Sequence, residues 1–197
     1  APKNTLDAVT FNLNNNSYGF EQFDTRFNRP DLVLKQLGRA DSSLITSYYA
    51  AYKKRLKKLD ITESSLGDDV HLPVVRLKDR FTVKPATSLS EYEMEIECYD
   101  AKYPLQSLQV LVNNSPIFGT AGKVISSNAN RTTLKVKVPL STDKNLVKVF
   151  CTNSKGAISL TETIEISSSY KPPTPAKTYF IGIAVSNYKD TSMNLRF

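Results

Sequence analysis

The chain has 197 residues, of which 40% are hydrophobic and 23% charged, and a formal net charge of +7. That length suits one generous domain or two small ones, and the composition can bury a core, which excludes a disordered polymer. Two widely separated cysteines and a single histidine exclude a multi-histidine metal site and any Cys-x-x-Cys zinc arrangement.

The positive charge reads first as a solubility feature. Lys and Arg are scattered, apart from the cluster Lys53, Lys54, Arg55, Lys57 and Lys58. The aromatic residues fall in periodic, core-like positions, not on a stacking platform of the kind single-strand binders need. The longest apolar run, residues 179–185, is too short to cross a bilayer, and no signal peptide is visible. The first residue is Ala1, not Met, so the natural N-terminus is expected to have been trimmed. A periplasmic or secreted location is favoured over a cytoplasmic one.

In chain order, Val9, Phe11 and Leu13 alternate with polar neighbours, the period of a half-buried strand, and Asn14, Asn15 and Asn16 break it. Phe20, Phe23 and Phe27 follow without clean periodicity. Asn28-Arg29-Pro30-Asp31 is a helix-start signal, with Asn as cap, Pro in the first turn and Asp at the positive end of the dipole. Leu32, Leu34 and Leu37 give that helix an apolar face, and Gly38 stops it. Asp41 or Ser42 caps a second helix. In it Leu44, Tyr48, Tyr52, Leu56 and Leu59 recur at helical spacing on one face, and the basic cluster lies on the other faces and in the last turn. A solvated helix end explains those charges better than a polyanion site does.

From Val70 onward short alternating segments take over. Residues 72–77 are extended. Tyr92, Met94, Ile96 and Cys98 alternate with Glu93, Glu95 and Glu97. Leu108, Val110 and Val112 run into the turn signal Asn113-Asn114-Ser115-Pro116. Leu134, Val136 and Val138 form a strand, as do Val147, Val149 and Cys151. Residues 153–156 form a hairpin turn, and Ile158, Leu160, Ile164 and Ile166 close the series. Roughly seven short strands at this spacing predict an immunoglobulin-like β-sandwich. Cys98 and Cys151 then fall on the second and sixth strands, which face each other across such a core. A disulfide and a pair of buried thiols both remain open, because no tryptophan completes an antibody-type core.

Residues 169–177 form a Pro-rich linker, expected to be extended and stiff. The apolar run after it reads as a strand buried on both faces, as in a parallel sheet, entering a further domain. Such a strand needs a partner, either a second copy of the chain or the remainder of the protein. Tyr179, Ile181, Ile183, Val185, Ser186, Asn187 and Tyr188 are its candidate partner-facing residues. The expected layout is a strand-plus-helix module at 1–69, the sandwich at 70–168, the linker at 169–177 and the start of the further domain at 178–197, an α+β chain overall.

Little in this pattern carries chemistry. His71 has no implied partner for base catalysis. Residues 119–123 (Gly-Thr-Ala-Gly-Lys) are too short for a phosphate loop, and Val124 stands where Ser or Thr should bind magnesium. Glu93, Glu95 and Glu97 suit the solvent face of a strand. Asp68 and Asp69 lack the other oxygen ligands of a calcium cage. No catalytic residue, metal or cofactor is expected, and nucleic acid is not an expected partner.

The run Tyr179-Phe180-Ile181-Gly182-Ile183-Ala184-Val185-Ser186-Asn187-Tyr188 resembles the first strand and following loop of caspase-like (metacaspase-type) cysteine peptidase domains. Residues 20–34, around Asn28-Arg29-Pro30-Asp31, and the Tyr-rich basic helix are similar to the segment before that domain in large bacterial proteins of the Bacteroidetes type. The resemblance implies a non-catalytic accessory or scaffold region that positions or regulates a peptidase domain, with that domain as partner and the catalytic His and Cys beyond Phe197. The competing reading is an independent immunoglobulin-like module that binds a protein or glycan through sandwich loops such as residues 113–122. A polyanion-binding helix is a third.

Overall fold

The computed structural model describes residues 9–13, 15–38, 40–66, 69–78, 85–126, 128–141, 143–171, 179–182 and 185. The chain opens with an antiparallel hairpin, β1 (Thr10–Leu13) and β2 (Asn16–Gly19), in which Phe11 faces Tyr18. In the Asn run expected to end a strand, Asn15 is a turn residue and Asn16 opens β2, while Asn14 lies outside the described residues. Asn15 takes a left-handed φ of 63°, which Asn tolerates better than most side chains. The following aromatic stretch is a single 3-10 turn, Phe20–Phe23, running into α1 (Asp24–Phe27). Its rings close over the hairpin: Phe11 stacks on Phe27 at 5.1 Å between centroids and tilts against Phe23 at 4.6 Å. Cross-element aromatic packing, not a period along the chain, organises this segment.

Helix α2 spans Pro30–Leu37 and α3 spans Ser42–Lys58. Gly38 ends α2 at φ 63°, as a left-handed C-cap should. Asp41 caps α3, accepting from the Leu44 N–H. The expected Asn28 cap is not used. Arg29 occupies that position without a side-chain cap, while Asn28 Nδ2 donates to Asp24 Oδ1 at 2.7 Å. Asp31 stands in the first turn of α2 as expected, and it is also buried against Arg29.

The predicted apolar faces of both helices are only partly covered. Tyr52 and Leu56 are buried with Ile61 and Leu66, and Leu59 packs beside them. Leu44 and Tyr48, on the same predicted stripe, are exposed, as are Leu32 and Leu37 on α2.

The rest of the described chain is a β-sandwich. In chain order its strands are β3 (Val74–Leu77), β4 (Ala86–Thr87), β5 (Glu91–Tyr99), β6 (Leu105–Val112), β7 (Ser115–Pro116), β8 (Lys123–Val124), β9 (Arg131–Pro139), β10 (Asp143–Asn153) and β11 (Glu162–Ser168). One sheet has the order β3-β5-β9 and the other β4-β11-β10-β6-β7, with β8 also on β6. With β3, β5, β6, β9, β10 and β11 lettered A, B, C, E, F and G, this is the A-B-E against G-F-C arrangement of immunoglobulin-like sandwiches. Ile96 and Cys98 on β5, Leu108 and Val110 on β6, Val138 on β9, Val147, Val149 and Cys151 on β10 and Ile166 on β11 are fully buried between the sheets. Each buried aliphatic side chain of this kind contributes roughly 1.5–3 kcal/mol.

Two expectations fail at the end of the strand series. Ile158 forms only an isolated bridge to Thr152, Leu160 is exposed, and the strand starts at Glu162. Here the chain turns aside to meet the N-terminal module, and Ile158 N–H donates to Gln22 O at 3.1 Å. Further on, the residues expected to form a buried strand of a further domain lie in no strand where they are described. Tyr179, Phe180 and Ile181 are 81, 93 and 83% exposed. An apolar strand of the parallel type is held by neighbours on both faces, and the described residues supply none. Val185 is likewise exposed; Ile183, Ser186, Asn187 and Tyr188 lie outside the described residues.

Candidate interaction surfaces and the junction that holds them

The N-terminal module sits on the end of the sandwich where β10 finishes. Gly156, in the turn after β10, has φ 71°, and a Cβ there would lie 2.8 Å from both Ile61 Cδ1 and Thr25 Cγ2. Only glycine lets the turn take that conformation and approach this closely. Lys155 Nζ donates to Ser65 O at 2.7 Å, and Arg26 and Gln106 donate to the carbonyls of Leu66 and Leu59. Because β11 returns antiparallel to β10, Ser168 lies beside Asp143. The chain therefore leaves the sandwich at the end away from the module. Strands of this length separate the two ends by about 30 Å.

His71 belongs to this junction. Its Nδ1 lies 2.8 Å from Oδ1 of the fully buried Asp100. The two groups are in close contact, yet Nδ1 makes no hydrogen bond of normal geometry. Asp100 Oδ1 also accepts from the Lys102 and Tyr103 N–H groups, and its Oδ2 accepts from Asn153 Nδ2. Asn153 in turn donates to His71 O and accepts from the Lys155 and Ala157 N–H groups. The His–Asp pair is thus built into a structural net, and among the described residues no Ser, Thr or Cys hydroxyl or thiol bonds to the imidazole.

The other sequence candidates resolve as follows. Residues 119–123 form a loop leading into β8, with Gly122 at φ 74° against Leu108 O; no helix follows to receive a phosphate. Glu95 is bonded by Lys78 at 2.7 Å, and that bond, acting against burial, holds its carboxyl below the usual range. Asp69 is taken up by Lys102 and Tyr103; Asp68 lies outside the described residues. Among the described residues no group of three or more His, Cys, Asp or Glu could hold a metal, and no helix is long and apolar enough to cross a membrane.

In the basic cluster, Lys53 pairs with Glu63 at 3.6 Å, and Arg55 donates to Asn28 O at 2.6 Å. Lys54, Lys57 and Lys58 are exposed at the end of α3. A groove of 410 Å³ opens between Lys58, Gln106, Ser107 and Asn128, with no histidine or cysteine on its walls.

Cys98 and Cys151 meet across the core as free thiols, both fully buried. The bond to Cys151, and then burial, push the Cys98 thiol far above its ordinary range. Cys98 should not form the reactive thiolate at neutral pH, and burial shuts both thiols away from reagents. The native protein is therefore expected to leave Ellman's reagent unreacted at pH 8, while two thiols react in denaturant. Rapid reaction of the native form would place a thiol at the surface. Absence of reaction in denaturant would show a disulfide.

The surface best suited to a partner lies on the helices. Leu32, Val33 and Leu37 of α2 are 50, 57 and 61% exposed, and Leu44 and Tyr48 of α3 extend the same apolar character. Sequence periodicity placed Leu32, Leu37, Leu44 and Tyr48 on apolar helix faces and missed Val33; none of them carries a polar signal that would have marked it as surface.

No protein-family model and no curated protein matches the chain. Among solved structures, it is similar to fibronectin(III)-like modules of Clostridium thermocellum CbhA (12% identity, 56% of this chain and 54% of that one, TM-score 0.40). It is also similar to the SrpA adhesin of Streptococcus sanguinis (16% identity, 57% and 66%, TM-score 0.36). A third match is a CARDB domain from Pyrococcus furiosus (10% identity, 52% and 94%, TM-score 0.35). The matched part spans about half of the first of these chains. Likeness at this level carries no argument about function.

Proposed function

We propose that this chain is a non-catalytic protein-binding module, in which the immunoglobulin-like sandwich holds a helical hairpin out to a partner. One observation carries this reading: α2 and the first half of α3 present Leu32, Val33, Leu37, Leu44 and Tyr48 uncovered, on a module otherwise fixed to the sandwich. Large exposed apolar side chains gathered on one module are a common mark of a protein-interaction site. Introducing charge on that face, Leu32→Glu with Leu37→Glu, should leave the fold intact, because neither side chain belongs to the buried cluster. Affinity purification from the native host, with the wild-type chain and this variant side by side, should enrich the same partner reproducibly only with the wild type. Equal recovery by both chains would overturn the reading, as would hydrolytic activity of the purified chain.

A second reading, the accessory region of a caspase-like peptidase, is favoured by the exposed apolar residues Tyr179, Phe180 and Ile181. It requires the natural reading frame to continue past Phe197 with further strands, a histidine and a later cysteine, and intact mass of the native protein tests it.

A further inference from the structure

The binding reading leaves open which backbone surface a partner could pair with, and β9 offers one. Among the described residues β9 pairs only with β5, so one side of its nine residues is an open edge. The other terminal strands of the two sheets, β3, β4 and β7, have four, two and two residues. The solvent face of this sheet carries an ordered charge pattern across the strands. Arg76 stands opposite Glu97, and Lys78 bonds Glu95. Glu95 is then opposite Lys135, and Glu93 opposite Lys137. The row through Lys78, Glu95 and Lys135 thus runs positive, negative, positive, the row of Glu93 ends on Lys137, and Glu97 stands opposite Thr133; both lysines are exposed at the open edge. On the other face Val136 and Val138 are buried and Leu134 is half-buried.

We propose that the β9 edge is a strand-addition site for an extended peptide that alternates acidic and apolar residues. The proposal rests on the chain being a protein-binding module. Strand addition draws its affinity from main-chain hydrogen bonds and its selectivity from alternate side chains. Here the acidic side chains would continue the charge rows beyond Lys135 and Lys137, and the apolar ones would lie beside Leu134 and Val136. The same lysines act against pairing of β9 with a second copy of itself, which would bring like charges together. Strand β5 shows the required pattern in the chain itself, for Glu-Tyr-Glu-Met-Glu-Ile-Glu is what β9 already pairs with on its closed side.

The probe is a blocked synthetic peptide of that seven-residue sequence, titrated into isotope-labelled protein at low salt and followed by amide chemical shifts. Shifts should concentrate along β9. Antiparallel pairing turns alternate backbone N–H groups toward the partner. Methylating one alternate set of peptide nitrogens should therefore abolish binding, and methylating the other set should not. Lys135→Glu with Lys137→Glu should weaken binding by about tenfold or more, the effect of like charges set opposite each other. If that variant fails to fold, the two methylated peptides against the wild type still decide the matter. Absence of shifts on β9, or equal binding by both methylated peptides or by an order-scrambled peptide, overturns strand addition. A chain that ignores the peptide yet holds its partner through Leu32 and Leu37 keeps the broader reading and loses this one.

Discussion

Replacing Arg29 by alanine should cost about 3–5 kcal/mol of stability, the usual result of breaking a buried ion pair from one side. Arg29 organises the N-terminal module. Its Nε and terminal nitrogen hold both carboxylate oxygens of Asp31, and its other terminal nitrogen reaches Glu63 at 2.9 Å. The guanidinium also lies 4.1 Å from the centre of the Tyr52 ring. Asp31 is only 4% exposed, so losing Arg29 strands its charge away from water. Arg29→Met with Asp31→Leu should recover most of the loss, because the pair is removed together and its volume kept.

The pH response makes this prediction sharper. The bonds from Arg29, acting against burial, hold the Asp31 carboxyl below its ordinary value. A depressed folded-state pKa gives stability that is complete above the unfolded pKa, near 4, and is lost as pH falls through the folded one. Without Arg29 burial is opposed only by the backbone N–H bonds of Asp31 and Leu32, and the folded-state pKa rises. The variant's deficit should then shrink on acidification, while the wild type weakens. Urea unfolding at pH 7 and pH 3.5 measures both slopes. Parallel slopes would show that Asp31 is not the group through which Arg29 acts.

The sandwich was legible in the sequence because its strands obey a period of two and bury one face each. The alternation of Tyr92, Met94, Ile96 and Cys98 is the β5 pattern, and Cys98 and Cys151 fall on the facing strands inferred for them. Asn113 and Asn114 take left-handed conformations of φ 50° and 67°, as a two-residue hairpin turn demands. The helices were legible as helices, but their burial was not. Periodicity identifies an apolar stripe without saying whether anything covers it, and Leu32, Leu37 and Leu44 have no neighbour to do so among the described residues. The β1–β2 hairpin was half visible, since β2 (Asn-Ser-Tyr-Gly) is held by pairing and by rings packed from elsewhere in the chain, not by a pattern of its own. His71 was read as a residue without a partner because Asp100 and Asn153 lie far along the chain. The bonds that join them depend on two sandwich turns meeting, which no local window contains.

Those bonds make the second large prediction: Asp100→Ala should destabilise the protein by about 3 kcal/mol or more. The substitution leaves the Lys102 and Tyr103 N–H groups and one Asn153 Nδ2 bond without their acceptor, and takes away the carboxylate beside His71. Each buried group left unpaired costs about 1–3 kcal/mol, less where water can enter. Asp100→Asn should also fail to restore stability. Its amide would set a donor against Asn153 Nδ2, and Asn153 cannot turn over because its Oδ1 already receives the Lys155 and Ala157 N–H groups. His71→Ala should cost only about 1 kcal/mol, because the imidazole is a third exposed and water can replace it. The site of the damage distinguishes this net from an ordinary core contact. Asn153 closes the turn that brings Gly156 against Thr25 and Ile61, so Asp100→Ala should loosen the seat of the N-terminal module before the sheets. Helix circular dichroism and amide exchange in β10, followed together through urea unfolding, should coincide in the wild type and separate in the variant. If both probes still coincide, the net stabilises the sandwich alone, and the module is held by its apolar contacts.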